Sequence, residues 1–82
     1  MNNEQLLLEL KDILKVICPN KEIDYDKVTE EGLLLEDLHF DSITLLMMAI
    51  AIEREYDVEV LSLDATSFKK VKDVINYIKE RI

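Results

Sequence analysis

Most of what builds a turn-rich, cross-linked or metal-clad protein is scarce in this chain. Its 82 residues hold one glycine, one proline, one cysteine, one histidine and no tryptophan, and aromatics are only 6%. So little Gly and Pro argues against an all-β fold with many tight turns and for helices. A lone cysteine excludes an internal disulfide. Cys18 reads as a small hydrophobe near the end of the first helix, since a catalytic thiol needs a base and His39 is distant in sequence. Positive charge is also the minority, with 10 Lys and Arg against 18 Asp and Glu and a net charge of -8. Nucleic acid and anionic membranes repel such a surface, and a basic patch on another protein is its natural complement. No apolar run is long enough to insert into or span a bilayer. Met1-Asn2-Asn3-Glu4 lacks the positive start of a signal peptide, so a cytoplasmic location is expected.

What is present is apolar residue content, 49% of the chain, enough for the core of a single domain over residues 1–82. Leu6, Leu7, Leu10, Ile13, Leu14 and Ile17 recur at helical spacing from about Asn3 to Cys18, and Pro19-Asn20 closes that helix. Nothing functional is read in it. Residues 20–40 have no sustained period and carry seven acids. Their spaced apolar residues Ile23, Val28, Leu34 and Leu38 predict a long loop packed onto the core with one short turn. Asp57 to Leu63 alternates like a strand but has no second strand to pair with, so an extended loop is expected. Asp64 to Phe68 reads as a short helix capped by Asp64. Val71, Val74, Ile75, Ile78 and Ile82 make a final amphipathic helix. The expected fold is all-α, a small four-helix bundle of three main helices plus a short third one.

The chain is organised around the stretch from Leu38 to Tyr56. From Ser42 onward it has no Gly or Pro, and Asp41 and Ser42 stand where a helix start needs acceptors. Leu45, Met48, Ala49, Ile52 and Tyr56 form one apolar stripe. Ile43, Leu46, Met47 and Ile50 form a second on nearly the opposite face. Leaving those four side chains wet forgoes roughly 6–12 kcal/mol at about 1.5–3 kcal/mol each. That rivals the whole stability of a small domain, about 5–15 kcal/mol. The second stripe should therefore meet a partner.

Three readings of polar residues compete here. Asp37, His39, Asp41 and Ser42 hold the residue types of a hydrolase triad, but sequence neighbours at a helix start rarely reach triad geometry and no glycine elbow surrounds Ser42. Asp24, Asp26, Glu30, Glu31 and Glu36 suggest a calcium loop. The spacing fails, because Val28 and Thr29 occupy the fifth and sixth positions counted from Asp24. No metal site is expected. Ser42 at a helix start is ordinarily just a cap. With Asp41 able to cap, however, the Ser42 hydroxyl is left in the first turn, at the positive helix end that favours an attached phosphate.

Leu35-Glu36-Asp37-Leu38-His39-Phe40-Asp41-Ser42-Ile43 resembles the modification motif of acyl and peptidyl carrier proteins, an Asp-Ser-Leu preceded by Leu-acid-acid-Leu. The likeness continues through Met47-Met48-Ala49, Glu53 to Asp57, and Val71 to Ile78. The resemblance implies a carrier rather than an enzyme. Ser42 would bear 4'-phosphopantetheine transferred from coenzyme A, with Asp41 assisting, and the arm's thiol would hold an acyl or aminoacyl cargo as a thioester. Ile43, Leu46, Met47 and Ile50 match the family's recognition helix, and Leu34, Val60, Ala65 and Phe68 match positions around its cargo cavity. The implied partners are a phosphopantetheinyl transferase and loading and condensing enzymes with basic surfaces, met by a monomer. The chain departs from the pattern at His39, where many members have glycine, and at Thr44 and Met47, where fatty-acid carriers usually bear acids. Those departures point to a specialised pathway, polyketide or nonribosomal peptide, with primary fatty-acid synthesis as the alternative. From another class, an acidic helical adaptor or homodimer would use the same stripe with Ser42 only a cap.

Overall fold

The computed structural model describes residues 2–18 and 23–82. Helix α1 (Asn3–Ile17) starts where the Asn2 side chain accepts from the Gln5 N–H at 2.8 Å. It ends at Cys18, which is buried as expected. The proposed stop at Pro19-Asn20 lies outside the described residues. Helix α2 (Ser42–Tyr56) is as long, α3 (Ser62–Ser67) is short, and α4 (Val71–Lys79) closes the chain. Among the described residues there is no strand, so the alternating segment after Asp57 is indeed an extended connection.

One core holds the helices together. Leu6, Leu10 and Leu14 of α1, Met48 and Ile52 of α2, and Val71, Val74, Ile75 and Ile78 of α4 are all at most 1% exposed. This is the i, i+3/i+4 spacing read from the sequence, now facing inward on each helix. α2 packs between α1 and α3, and α4 lies against α1. The Tyr56 hydroxyl donates to Glu9 Oε1 at 2.8 Å, tying the end of α2 to the middle of α1. Burial, and then the Glu9 carboxylate beside it, push the Tyr56 phenol well above its ordinary range.

The long connection is a packed loop, with one 3-10 turn at Tyr25–Lys27. Val28, Leu34 and Leu38 are fully buried in the core and Ile23 is half-buried. Its backbone is stitched to the start of α4: Leu34 N–H donates to Lys69 O at 2.9 Å, Val71 N–H to Gly32 O at 3.0 Å and Lys72 N–H to Glu30 O at 3.0 Å. Gly32 is needed at this crossing. A Cβ there would collide with the Lys27 carbonyl oxygen and press on Thr29 O at 3.2 Å.

Two boundaries differ from the sequence expectation, those of α3 and α4, while α2 spans Ser42–Tyr56 as expected. α3 begins at Ser62 rather than after Asp64, because the helix is set by burial of Ala65 and Phe68 and not by a side-chain cap. Asp64 Oδ2 instead accepts from the Tyr77 hydroxyl at 3.2 Å, beside the edge-to-face contact of Phe68 and Tyr77. α4 stops at Lys79, and Ile82 is 56% exposed beyond it instead of joining the core stripe. α2 is closed by Asp57 in the left-handed region at φ 54°.

Candidate functional site

The segment before α2 is a sequence of side-chain and backbone locks. Asp37 Oδ2 accepts from the Leu33 N–H at 2.9 Å, while the N–H groups of Asp37 and Leu38 both donate to Leu33 O. Phe40 N–H donates to Leu34 O at 3.0 Å, with its ring buried. Leu38 and Phe40 are thus two anchors that fix where Asp41 emerges. Between them His39 is exposed with φ 58°, the left-handed region that favours glycine. The backbone at this position explains why a glycine would suit it, and nothing in the residue types around His39 announced it.

Asp41 is the cap of α2. Its Oδ1 accepts from both the Thr44 N–H and the Thr44 hydroxyl at 2.8 Å, and Thr44 is only 6% exposed. A buried hydroxyl needs such a partner, so this residue, noted in the sequence only as a departure from the carrier pattern, locks the cap. Ser42 is exposed in the first turn, and its hydroxyl makes no hydrogen bond among the described residues. Its own N–H and that of Ile43 belong to the first turn, where the helix offers no carbonyl one turn earlier to accept from them. The idea that Ser42 merely caps is therefore corrected, since Asp41 has that role. The triad idea fares no better: the carboxylates of Asp37 and Asp41 are committed to Leu33 and Thr44, and His39 and Ser42 are not hydrogen-bonded to each other.

The two stripes of α2 separate as the pattern requires. Leu45, Met48, Ala49 and Ile52 are buried; Ile43, Leu46, Met47 and Ile50 are 70%, 36%, 39% and 55% exposed. No charged residue interrupts α2 until Glu53. Leu34, Val60, Ala65 and Phe68 come together in the core, where the two most exposed of them, Val60 and Phe68, are 7% exposed. A groove of about 550 Å³ opens elsewhere, between α1 and α2. Its signal in the sequence was Val16, an apolar residue off the core stripe of the first helix and 78% exposed.

Comparison with known proteins places this arrangement. No family model matches the chain. An acyl carrier protein of Campylobacter lari is 37% identical over 68 residues, 83% of this chain and 88% of the relative. That of Rickettsia bellii is 38% identical over 68 residues, 83% of this chain and 79% of its own. That of Lactobacillus acidophilus is 34% identical over 79 residues, 96% and 95%.

The chain belongs to the acyl carrier protein family. Acyl carrier proteins are carriers rather than catalysts and hold 4'-phosphopantetheine covalently on a serine. The residues present fit such a group: an exposed hydroxyl, free of other bonds, beside first-turn N–H groups at the positive end of a 15-residue helix. The all-helical fold agrees, and among the described residues no helix is long and apolar enough to cross a membrane.

Proposed function

We propose that this chain is a free-standing carrier whose Ser42 takes 4'-phosphopantetheine from coenzyme A through a phosphopantetheinyl transferase. The observation that carries the reading is the division of labour at the start of α2: Asp41 satisfies the cap and leaves the Ser42 hydroxyl exposed. Attachment would join Ser42 Oγ to the pantetheine phosphate as the coenzyme A pyrophosphate bond breaks, releasing adenosine 3',5'-bisphosphate and the hydroxyl proton. The first-turn N–H groups of Ser42 and Ile43 would favour the ester's negative charge. Asp41 keeps the turn rigid through Thr44, so the hydroxyl is presented in one position. The attached arm supplies a thiol that holds cargo as a thioester.

Ile43, Leu46, Met47 and Ile50 meet the partner enzymes, which load and condense the cargo. The lack of any charge before Glu53 favours partners with an apolar contact at α2, and the overall charge of -8 favours basic surfaces around it. This supports a specialised pathway over primary fatty-acid synthesis, while the relatives' name favours an acyl cargo over an aminoacyl one. Leu34, Val60, Ala65 and Phe68 lie where the cargo chain would shelter, between α3 and the loop. The carrier acts as a monomer in the cytoplasm.

The test is intact-protein mass after incubation with coenzyme A and a broad-specificity phosphopantetheinyl transferase. The parent gains one phosphopantetheine group, and Ser42→Ala gains none while melting at the same temperature. A folded parent that gains nothing refutes the carrier. An adaptor would instead be indifferent to Ser42→Ala and lose its partner on Ile50→Asp.

A further inference from the structure

We propose that the groove between α1 and α2 is a docking site for an amphipathic helix with a basic edge, presented by another protein. Its floor is made by Ile13, Val16 and Ile17 from α1 and Met47, Ile50 and Ala51 from α2. Val16 and Ile50 are more than half exposed, so the floor is apolar surface left open to water. From Glu9 to Ile17 the groove follows about 12 Å of helix, the length over which a bound helix places anchors at i, i+3, i+4 and i+7.

The rim gives the occupant its chemistry. Among the described residues, Glu9, Asp12 and Glu55 line it against one cation, Arg54. Glu9 has one carboxylate oxygen engaged by Tyr56, which leaves the other to face an occupant. A helix bearing Lys or Arg along one edge therefore complements the groove, and an acidic one is repelled. The same charge disfavours a second copy of this chain, since each carries -8 and would bring carboxylates against carboxylates. Met47 and Ile50 belong both to this groove and to the exposed stripe of α2, so the docking surface runs from the stripe onto α1. The inference does not depend on modification of Ser42.

The probe is a synthetic helical peptide with Leu at i, i+3, i+4 and i+7 and Lys along one edge. It is titrated into isotopically labelled, unmodified protein, so a failure of phosphopantetheine attachment leaves the measurement intact. Saturable amide shifts are expected at Ile13, Val16, Ile50 and Ala51. Replacing the four Leu by Ser with the Lys retained should raise Kd at least tenfold, and so should Val16→Lys. That variant keeps the fold, because Val16 is exposed and a cation suits the last turn of α1, which circular dichroism melting checks. Equal binding of the Leu and Ser peptides, shifts confined to Ile43 and Leu46, or no effect of Val16→Lys would each overturn the proposal. Groove shifts reproduced by concentrating the protein alone, with a dimer in sedimentation, would assign the groove to a second copy instead.

Discussion

Met47 and Met48 are neighbours on one helix, yet Met48 is fully buried and Met47 is 39% exposed. The same contrast runs along the whole of α2, where Leu45 and Ile52 are covered and Ile43 and Ile50 are wet. Nothing in residue type separates the two faces, because both are aliphatic and methionine. What separates them is supply. Leu10 and Leu14 of α1, Leu34 and Leu38 of the loop, and Ala65 and Phe68 of α3 all go to the one core. Among the described residues no further element covers the second face. An apolar face beyond what the core can use is the surface on which the proposed partner contact rests, and methionine there is adaptable.

The largest test of that contrast is a matched pair. Met48→Ala should cost about 2–5 kcal/mol, as deletion of a buried side chain leaves a cavity. Met47→Ala should stay within about 0.5 kcal/mol, being a surface truncation to a strong helix former. Urea unfolding of both at constant m-value measures the difference. Equal losses would mean that the second face is covered too.

The helices were legible because the core stripes have a strict period: Leu6, Leu10 and Leu14, or Val71, Val74, Ile75 and Ile78, could face only one way. The exposed stripe was legible for the same reason, as a surplus. The geometry before α2 was not. That His39 sits at positive φ depends on Leu38 and Phe40 both being anchored, a tertiary matter that residue types do not record. The start of α3 was misjudged because Asp64 looks like a cap, whereas burial of Ala65 and Phe68 decides where the turn forms. The groove is not legible from the core stripe of α1, because Val16 lies off that stripe and only the packing of α2 beside it makes a groove.

His39 lies in the segment that covers one face and presents Ser42 to the other, so its strain can be used to sharpen the contrast. A left-handed residue with a Cβ costs roughly 1–2 kcal/mol, and glycine removes that while adding freedom to the unfolded chain worth about 0.5–1 kcal/mol. His39→Gly should therefore be neutral or stabilising by up to about 1.5 kcal/mol. His39→Val should lower the melting temperature, since a β-branched residue tolerates this region worst. Both side chains are outside the core, so the difference reads the backbone alone. Similar melting of the two variants would show that the turn is free to change its backbone.

The smallest effect concerns how the covering loop is held. Glu31 accepts from Lys70 Nζ and Lys72 Nζ, both at 3.0 Å, across the junction of the loop with the start of α4. These bonds hold its carboxyl below the ordinary range. The sign follows: a depressed carboxylate contributes stability above its unfolded value, about 4.3, and loses it as pH falls through the folded one. The group is exposed, so the contribution is small and screened by salt. Melting of the parent and Glu31→Gln should differ slightly at neutral pH in low salt, and coincide at about pH 3 or in about 1 M salt. A gap that persists under acid would place the effect in something other than charge. Coincidence at every pH would leave the backbone bonds of Leu34 to Lys69 and Val71 to Gly32 as what keeps one face of α2 covered. Both of those bonds are backbone and independent of pH, so cover would then survive acid while the wet face stayed open.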